Sequence, residues 1–101
     1  MSQQLVILVE FRLPATNLPR FLELVTANAR QSLAVEPGCR RFDVALEQGR
    51  PEGEPVVLLY EIYDDEAAFQ AHLALEHVKS FLAAARTLVT AQSVRRFDLP
   101  A

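Results

Sequence analysis

Two stretches, Leu5–Arg12 (LVILVEFR) and Val56–Tyr63 (VVLLYEIY), read as strands that are apolar on both faces. In the first, Leu5, Ile7, Val9 and Phe11 fall on one side, while Val6 and Leu8 on the other precede Glu10 and Arg12. A strand of this kind must be covered above and below. Few chains of 101 residues have enough material to do so alone. A domain this small buries a modest fraction of its surface and gains from pairing with a copy of itself.

The remaining elements follow from periodicity and punctuation. Pro14 ends the first strand, and Thr16 or Asn17 caps a helix with Pro19 in its first turn. Leu18, Phe21, Leu22, Val25, Ala29 and Leu33 keep helical spacing to about Ala34. Pro37-Gly38 stops that helix. Cys39–Glu47 is a second strand with Phe42, Val44 and Leu46 on one side. Gly49–Pro55 makes a hairpin loop into the third strand. Asp64 or Asp65 then caps a second helical region, with Glu66 in its first turn. Its apolar positions run from Phe69 to Leu88, and the spacing drifts near Ala74-Leu75, where a break into two helices is expected. Thr90–Leu99 is the last strand.

The order β-α-β-β-α-β is the ferredoxin-like α+β pattern: a four-stranded antiparallel sheet with helices on one face. Residues 1–101 are expected to form a single domain. Helices on one face leave the other open, so a homodimer packed sheet against sheet is expected.

Composition excludes several function classes. The net charge is -3, with no basic block, so nucleic acid is not an expected partner. The N-terminal MSQQLVILVEFR lacks a charged start and its apolar run stops at Glu10, which does not fit a signal peptide. No apolar run approaches membrane-spanning length. The lone Cys39 is read as a reduced, inert thiol and the protein as cytoplasmic.

The residues able to move protons near neutral pH gather between Tyr60 and Phe81, where Glu61, Tyr63, His72 and His77 lie. Glu61 is costly to bury inside an apolar strand unless it is paired or protonated. It is read as a general base or a hydrogen-bond partner that orients substrate or His72, or else as an ion-pair partner of an arginine such as Arg41, Arg95 or Arg96. His72 is read as a pocket residue or as a histidine bonded to backbone at a helix end. His77, beside Glu76 and Lys79, reads as structural. Five residues of ideal helix splay the two imidazoles by about 140°, which makes them poor joint metal ligands; no metal site is expected. Asn28 and Ser32 are four apart on the first helix and share a direction, facing either a pocket or solvent. Tyr60 and Tyr63 face opposite sides of their strand.

The segments EPGCRRFDV (Glu36–Val44) and LYEIYDDEAAFQAHLALEHVKSF (Leu59–Phe81), in this element order, resemble the antibiotic biosynthesis monooxygenase family of small dimeric α+β barrel proteins. The resemblance covers Leu5–Leu99. It implies a cofactor-independent monooxygenase acting on a small aromatic, quinol-type substrate with O2, and a homodimer whose last strand reaches across to the partner. It places Glu61 and His72 as catalytic residues, with Asn28, Phe42 and His77 around the substrate; Ser32 and Tyr63, from their places on the helix and strand, are expected to join them. Alternatives are an isomerase of a small hydroxy-ketone and a non-catalytic dimeric small-molecule-binding protein. Two departures from the family stand out: the chain has no Trp, and Ala29 stands where isomerase-type members carry a His.

Overall fold

A computed structural model describes residues 3–49 and 52–100. Strands β1 (Gln4–Arg12), β2 (Cys39–Leu46), β3 (Val56–Tyr63) and β4 (Ala91–Leu99) form one antiparallel sheet in the order β2-β3-β1-β4. Helix α1 (Leu18–Val35) joins β1 to β2 after a short 3-10 turn, Ala15–Asn17. Helices α2 (Glu66–Ala74) and α3 (Glu76–Arg86) join β3 to β4. This is the ferredoxin-like α+β arrangement expected from the element order, with the second helical region divided at Leu75. Of the expected Gly49–Pro55 loop, Arg50 and Pro51 lie outside the described residues, as do Met1, Ser2 and Ala101.

The helix-facing side of the sheet carries alternate residues of each strand: Leu5, Ile7, Val9 and Phe11 of β1, then Val57, Leu59, Glu61 and Tyr63 of β3. Helix α1 answers with a buried stripe, Phe21, Val25, Asn28, Ala29 and Ser32. Phe11, Phe21 and Phe81 meet edge-on or tilted, with ring centroids 5.0–6.4 Å apart, and lock α1 and α3 to β1.

The local signals divide their work in ways the sequence left open. Asp65 caps α2, accepting a hydrogen bond from the Ala68 amide at 2.8 Å. Asp64 instead holds Arg40 of β2 through two bonds of 2.7 and 3.0 Å. Asn17 occupies the cap position of α1 without a side-chain cap bond. Its Nδ2 donates to the Leu88 carbonyl at 3.0 Å, tying the start of α1 to the connection before β4. Leu75 is extended (φ -74, ψ 143) and breaks the helical path between α2 and α3.

Coverage of the sheet is uneven. Along β4 every residue from Ala91 to Asp98 is exposed, and only Leu99 is partly covered. The helices sit over β2, β3 and β1 and leave β4 to one side. On the face away from the helices, Val6, Val56 and Ile62 are buried among neighbouring side chains. There Arg41 lies over the Tyr60 ring and Arg95 over the Phe97 ring. The two tyrosines do face opposite sides: Tyr63 is fully buried beneath the helices, and Tyr60 is half-buried on the open face.

Gly38 is needed for close approach. A Cβ there would lie 2.6 Å from the Ala68 Cβ, and its carbonyl accepts from the Asp64 amide at 2.9 Å. Gly38→Ala is therefore expected to destabilise the fold by about 1–3 kcal/mol, because neither partner is a flexible side-chain end. Urea titration measures this. Adding Ala68→Gly restores part of the loss if the clash is its cause.

Candidate functional site

A cavity of about 240 Å³ lies between the sheet and the three helices. For scale, an apolar cavity of about 150 Å³ accepts benzene, so this space suits a compact one- or two-ring molecule. Its walls are mainly apolar: Ile7, Val9 and Phe11 of β1, Leu59 of β3, and Phe69 and Phe81 from α2 and α3. The side toward β4 is lined by Gln92 and Val94, both exposed.

Three buried polar groups line this space, each from a different element: Asn28 from α1, Glu61 from β3 and His72 from α2. Phe42 lines it from β2. Tyr63, Ser32 and His77 are not on its wall. Tyr63 stands behind it, bonded to Glu61, while Ser32 and His77 are bonded to each other near Glu36.

Glu61 faces the helices because it is an odd-numbered residue of β3, opposite Ile7 and Phe42 in the flanking strands. Tyr63, two residues on and therefore on the same face, donates its hydroxyl to Glu61 Oε1 at 2.6 Å. No cation reaches Glu61 among the described residues. Arg41 pairs with Asp43, Arg96 with Glu66, and Arg95 lies over Phe97. The ion-pair reading of Glu61 is thereby replaced by a phenol–carboxyl bond. Burial raises the Glu61 pKa to about 7; the Tyr63 bond opposes the rise and the Glu36 carboxylate adds to it. Burial also pushes the Tyr63 hydroxyl up, so it stays a donor.

His72 is buried with its ring 5.1 Å from that of Tyr63 and 6.3 Å from that of Phe69, nearly parallel to the latter. Its Nδ1 lies 2.9 and 3.0 Å from the two carboxylate oxygens of Glu36. The helix-end backbone bond considered from the sequence is not what holds it. Burial lowers the His72 pKa and Glu36 partly offsets this, so the net shift favours the neutral imidazole.

Asn28 is 6% exposed, and its buried Oδ1 has no hydrogen-bond partner among the described residues. Solvent exposure, the alternative the sequence left open, does not apply. The signal was present: Phe21, Val25, Asn28 and Ser32 keep one helical stripe, and Glu36 continues it by one turn. Ser32 is buried, with its Oγ 3.1 Å from His77 Nε2. His77 Nε2 also lies 3.9 Å from Glu36 Oε2. The two imidazoles thus approach one carboxylate, which an unbroken helix would not allow; the break at Leu75 brings them together. Glu36 and Phe69 were not singled out from the sequence. Cys39 is buried and its thiol is pushed up to about 12, chiefly by burial, as suits an inert thiol. No group of three or more His, Cys, Asp or Glu among the described residues is placed to hold a metal ion.

The raised Glu61 pKa sets a stability dependence with a definite sign. The folded protein binds a proton between the ordinary pKa of 4.5 and about 7 that the unfolded chain has already released. Stability from this group is therefore fully present below pH 4.5 and is lost as pH rises through 7, by about 3 kcal/mol in all. Glu61→Gln is expected to raise the thermal midpoint at pH 8 and to leave it nearly unchanged at pH 4.5. Calorimetry at the two pH values checks this.

The model of the family described as "Antibiotic biosynthesis monooxygenase" matches residues 4–84. No curated protein matches the chain. Among solved structures, a conserved protein of unknown function from Bacteroides thetaiotaomicron, described as a possible oxidoreductase, superposes with a TM-score of 0.88. It is 19% identical, with 98% of this chain and 100% of that one covered. A protein of Nitrosomonas europaea described as a putative antibiotic biosynthesis monooxygenase gives a TM-score of 0.87 at 21% identity, covering 97% of this chain and 91% of that one. One of Caulobacter crescentus with the same description gives 0.87 at 20% identity, covering 99% and 92%. At these identities the structures speak for the fold, and the match over residues 4–84 speaks for the family: the chain belongs to the antibiotic biosynthesis monooxygenase family.

Proposed function

We propose that the protein is a cofactor-independent monooxygenase that oxidises a small quinol-type aromatic at the cavity between sheet and helices. The observation that carries this reading is the meeting of Asn28, Glu61 and His72, from three separate elements, on one mostly apolar space. An apolar wall with a few convergent polar groups is the form of a small-molecule site. Two of the three groups are suited to take a proton near neutral pH.

In this mechanism the substrate hydroxyl loses its proton to His72, with Glu61 the alternative base. The electron pair stays on the oxygen, and the electron-rich anion passes electrons to O2. One oxygen atom enters a ring carbon and the other leaves as water. A hydroquinone and O2 thus give a hydroxyquinone and water, the substrate itself supplying the electrons. The unpartnered Asn28 Oδ1 accepts a hydrogen bond from a second hydroxyl of the substrate. Phe42 and Phe69 pack against the ring, and the dry walls hold the pair together away from water.

The mechanism is expected to act in a homodimer. Val94 and Phe97, on opposite faces of β4, are 52% and 44% exposed, and a second copy would cover apolar surface of that kind. The dimer weighs twice 11.3 kDa, and sedimentation at micromolar concentration distinguishes it from the monomer.

A proton-transfer isomerase of a small hydroxy-ketone would use the same two groups. The opposite shifts of Glu61 and His72 favour such paired acid–base work. Oxygen uptake separates the two readings. With hydroquinones, the oxygenase consumes one O2 per substrate, and His72→Ala lowers kcat by about 10²–10⁴-fold. Lack of oxygen uptake across a quinol panel, or unchanged turnover in both His72→Ala and Glu61→Gln, contradicts the proposal. If Glu61 is the base, kcat rises with pH through about 7 and flattens above it.

A further inference from the structure

Glu36 is hard to explain as part of the scaffold. It is the C-terminal cap residue of α1, where a carboxylate meets the negative end of the helix dipole. Its side chain is nevertheless only 8% exposed. A buried carboxylate–imidazole pair is a poor source of stability, because the cost of removing both groups from water offsets their attraction. Yet the surrounding elements converge on it. Both carboxylate oxygens meet His72 Nδ1, and His77, itself tied to Ser32, approaches from α3.

The consequence falls on His72. Its Nδ1 is engaged by an acceptor, so the proton of the neutral ring resides on Nδ1. Nε2 then carries the lone pair, and it has no partner among the described residues. His72 is also a cavity wall residue. We propose that Glu36 is the positioning residue of this site: it holds His72 in the tautomer and orientation that leave Nε2 free to take a proton from a bound hydroxyl, and it stabilises the imidazolium that results. This deepens the oxygenase reading and rests on it only for the identity of the substrate.

The proton balance is simple. The substrate O–H bond breaks, an Nε2–H bond forms, and the electron pair stays on the substrate oxygen. The new positive charge faces the Glu36 carboxylate across the Nδ1–H. The other titratable groups gathered around His72 and its carboxylate are His77 on α3, Glu61 and Tyr63 on β3, and Cys39 on β2. Of these, His77 disfavours the charged ring, whereas the Glu36 carboxylate favours it.

The test is a ¹⁵N-histidine long-range correlation spectrum at pH 8, which reads the protonated nitrogen directly and needs no substrate. The wild-type protein is expected to show His72 as a single Nδ1–H tautomer. In Glu36→Gln, whose amide both donates and accepts, the tautomers mix and the His72 pKa falls further. Glu36→Asp keeps the carboxylate and restores the single tautomer at least in part, which guards against a general loss of packing. With hydroquinone and O2, Glu36→Gln is expected to lose about 10²-fold in kcat with KM little changed. A single unchanged tautomer and an unchanged His72 titration in Glu36→Gln overturn the proposal. If the tautomer responds to Glu36 while the wild-type protein consumes no O2 with any quinol, the positioning role stands and the oxygenase reading falls.

Discussion

The carboxyl of Glu61 sits beneath the helical layer with a hydrogen bond from Tyr63 and, among the described residues, no cation beside it. Nearly everything distinctive about the molecule is arranged around that burial. An apolar strand that includes a carboxyl must present it to a cavity, to a donor, or to both. Here β3 does both, with the Tyr63 hydroxyl behind and the open space in front. The resulting pKa near 7 leaves a group that changes charge under ordinary conditions in a mostly apolar place, where charge has large effects.

His72 is the complementary case. It too is buried, but its partner is the Glu36 carboxylate at Nδ1, and its Nε2 has no partner among the described residues. Burial raises the acid and lowers the base on one cavity, the opposed shifts that suit paired acid–base work. Asn28 adds an acceptor that the protein leaves unfilled, a cost of about 1–3 kcal/mol that a bound hydroxyl would relieve. The uncovered helix side of β4 leaves Gln92 and Val94 at the edge of the same space.

Much of this was legible in the amino-acid order. Strand alternation placed Glu61 and Tyr63 on one face, and the drift in spacing at Ala74-Leu75 marked the real break between α2 and α3. What the sequence did not show were pairings across distance. Glu36 and His72 are 36 residues apart, and a glutamate before Pro-Gly reads as part of a turn. The splay of about 140° between His72 and His77 holds only for an unbroken ideal helix, and the extended Leu75 between them removes it. Asn28 was ambiguous only while its residue type was weighed alone; its place in the stripe of Phe21 and Val25 points inward. The Tyr63 bond to Glu61 was not among the readings weighed from the sequence, and its displacement of the arginine ion pair depends on where those side chains go, which no periodicity encodes.

The central claim is that Asn28, Glu61 and His72 act on one bound molecule. An anaerobic NMR titration with hydroquinone, following the Asn28 side-chain amide, the Glu61 carboxyl carbon and the His72 ring nitrogens together, tests it most directly. The account predicts that all three respond and saturate along one binding curve, with the largest nitrogen shift at His72 Nε2. Binding that moves none of these groups, or moves them with separate affinities, would contradict it.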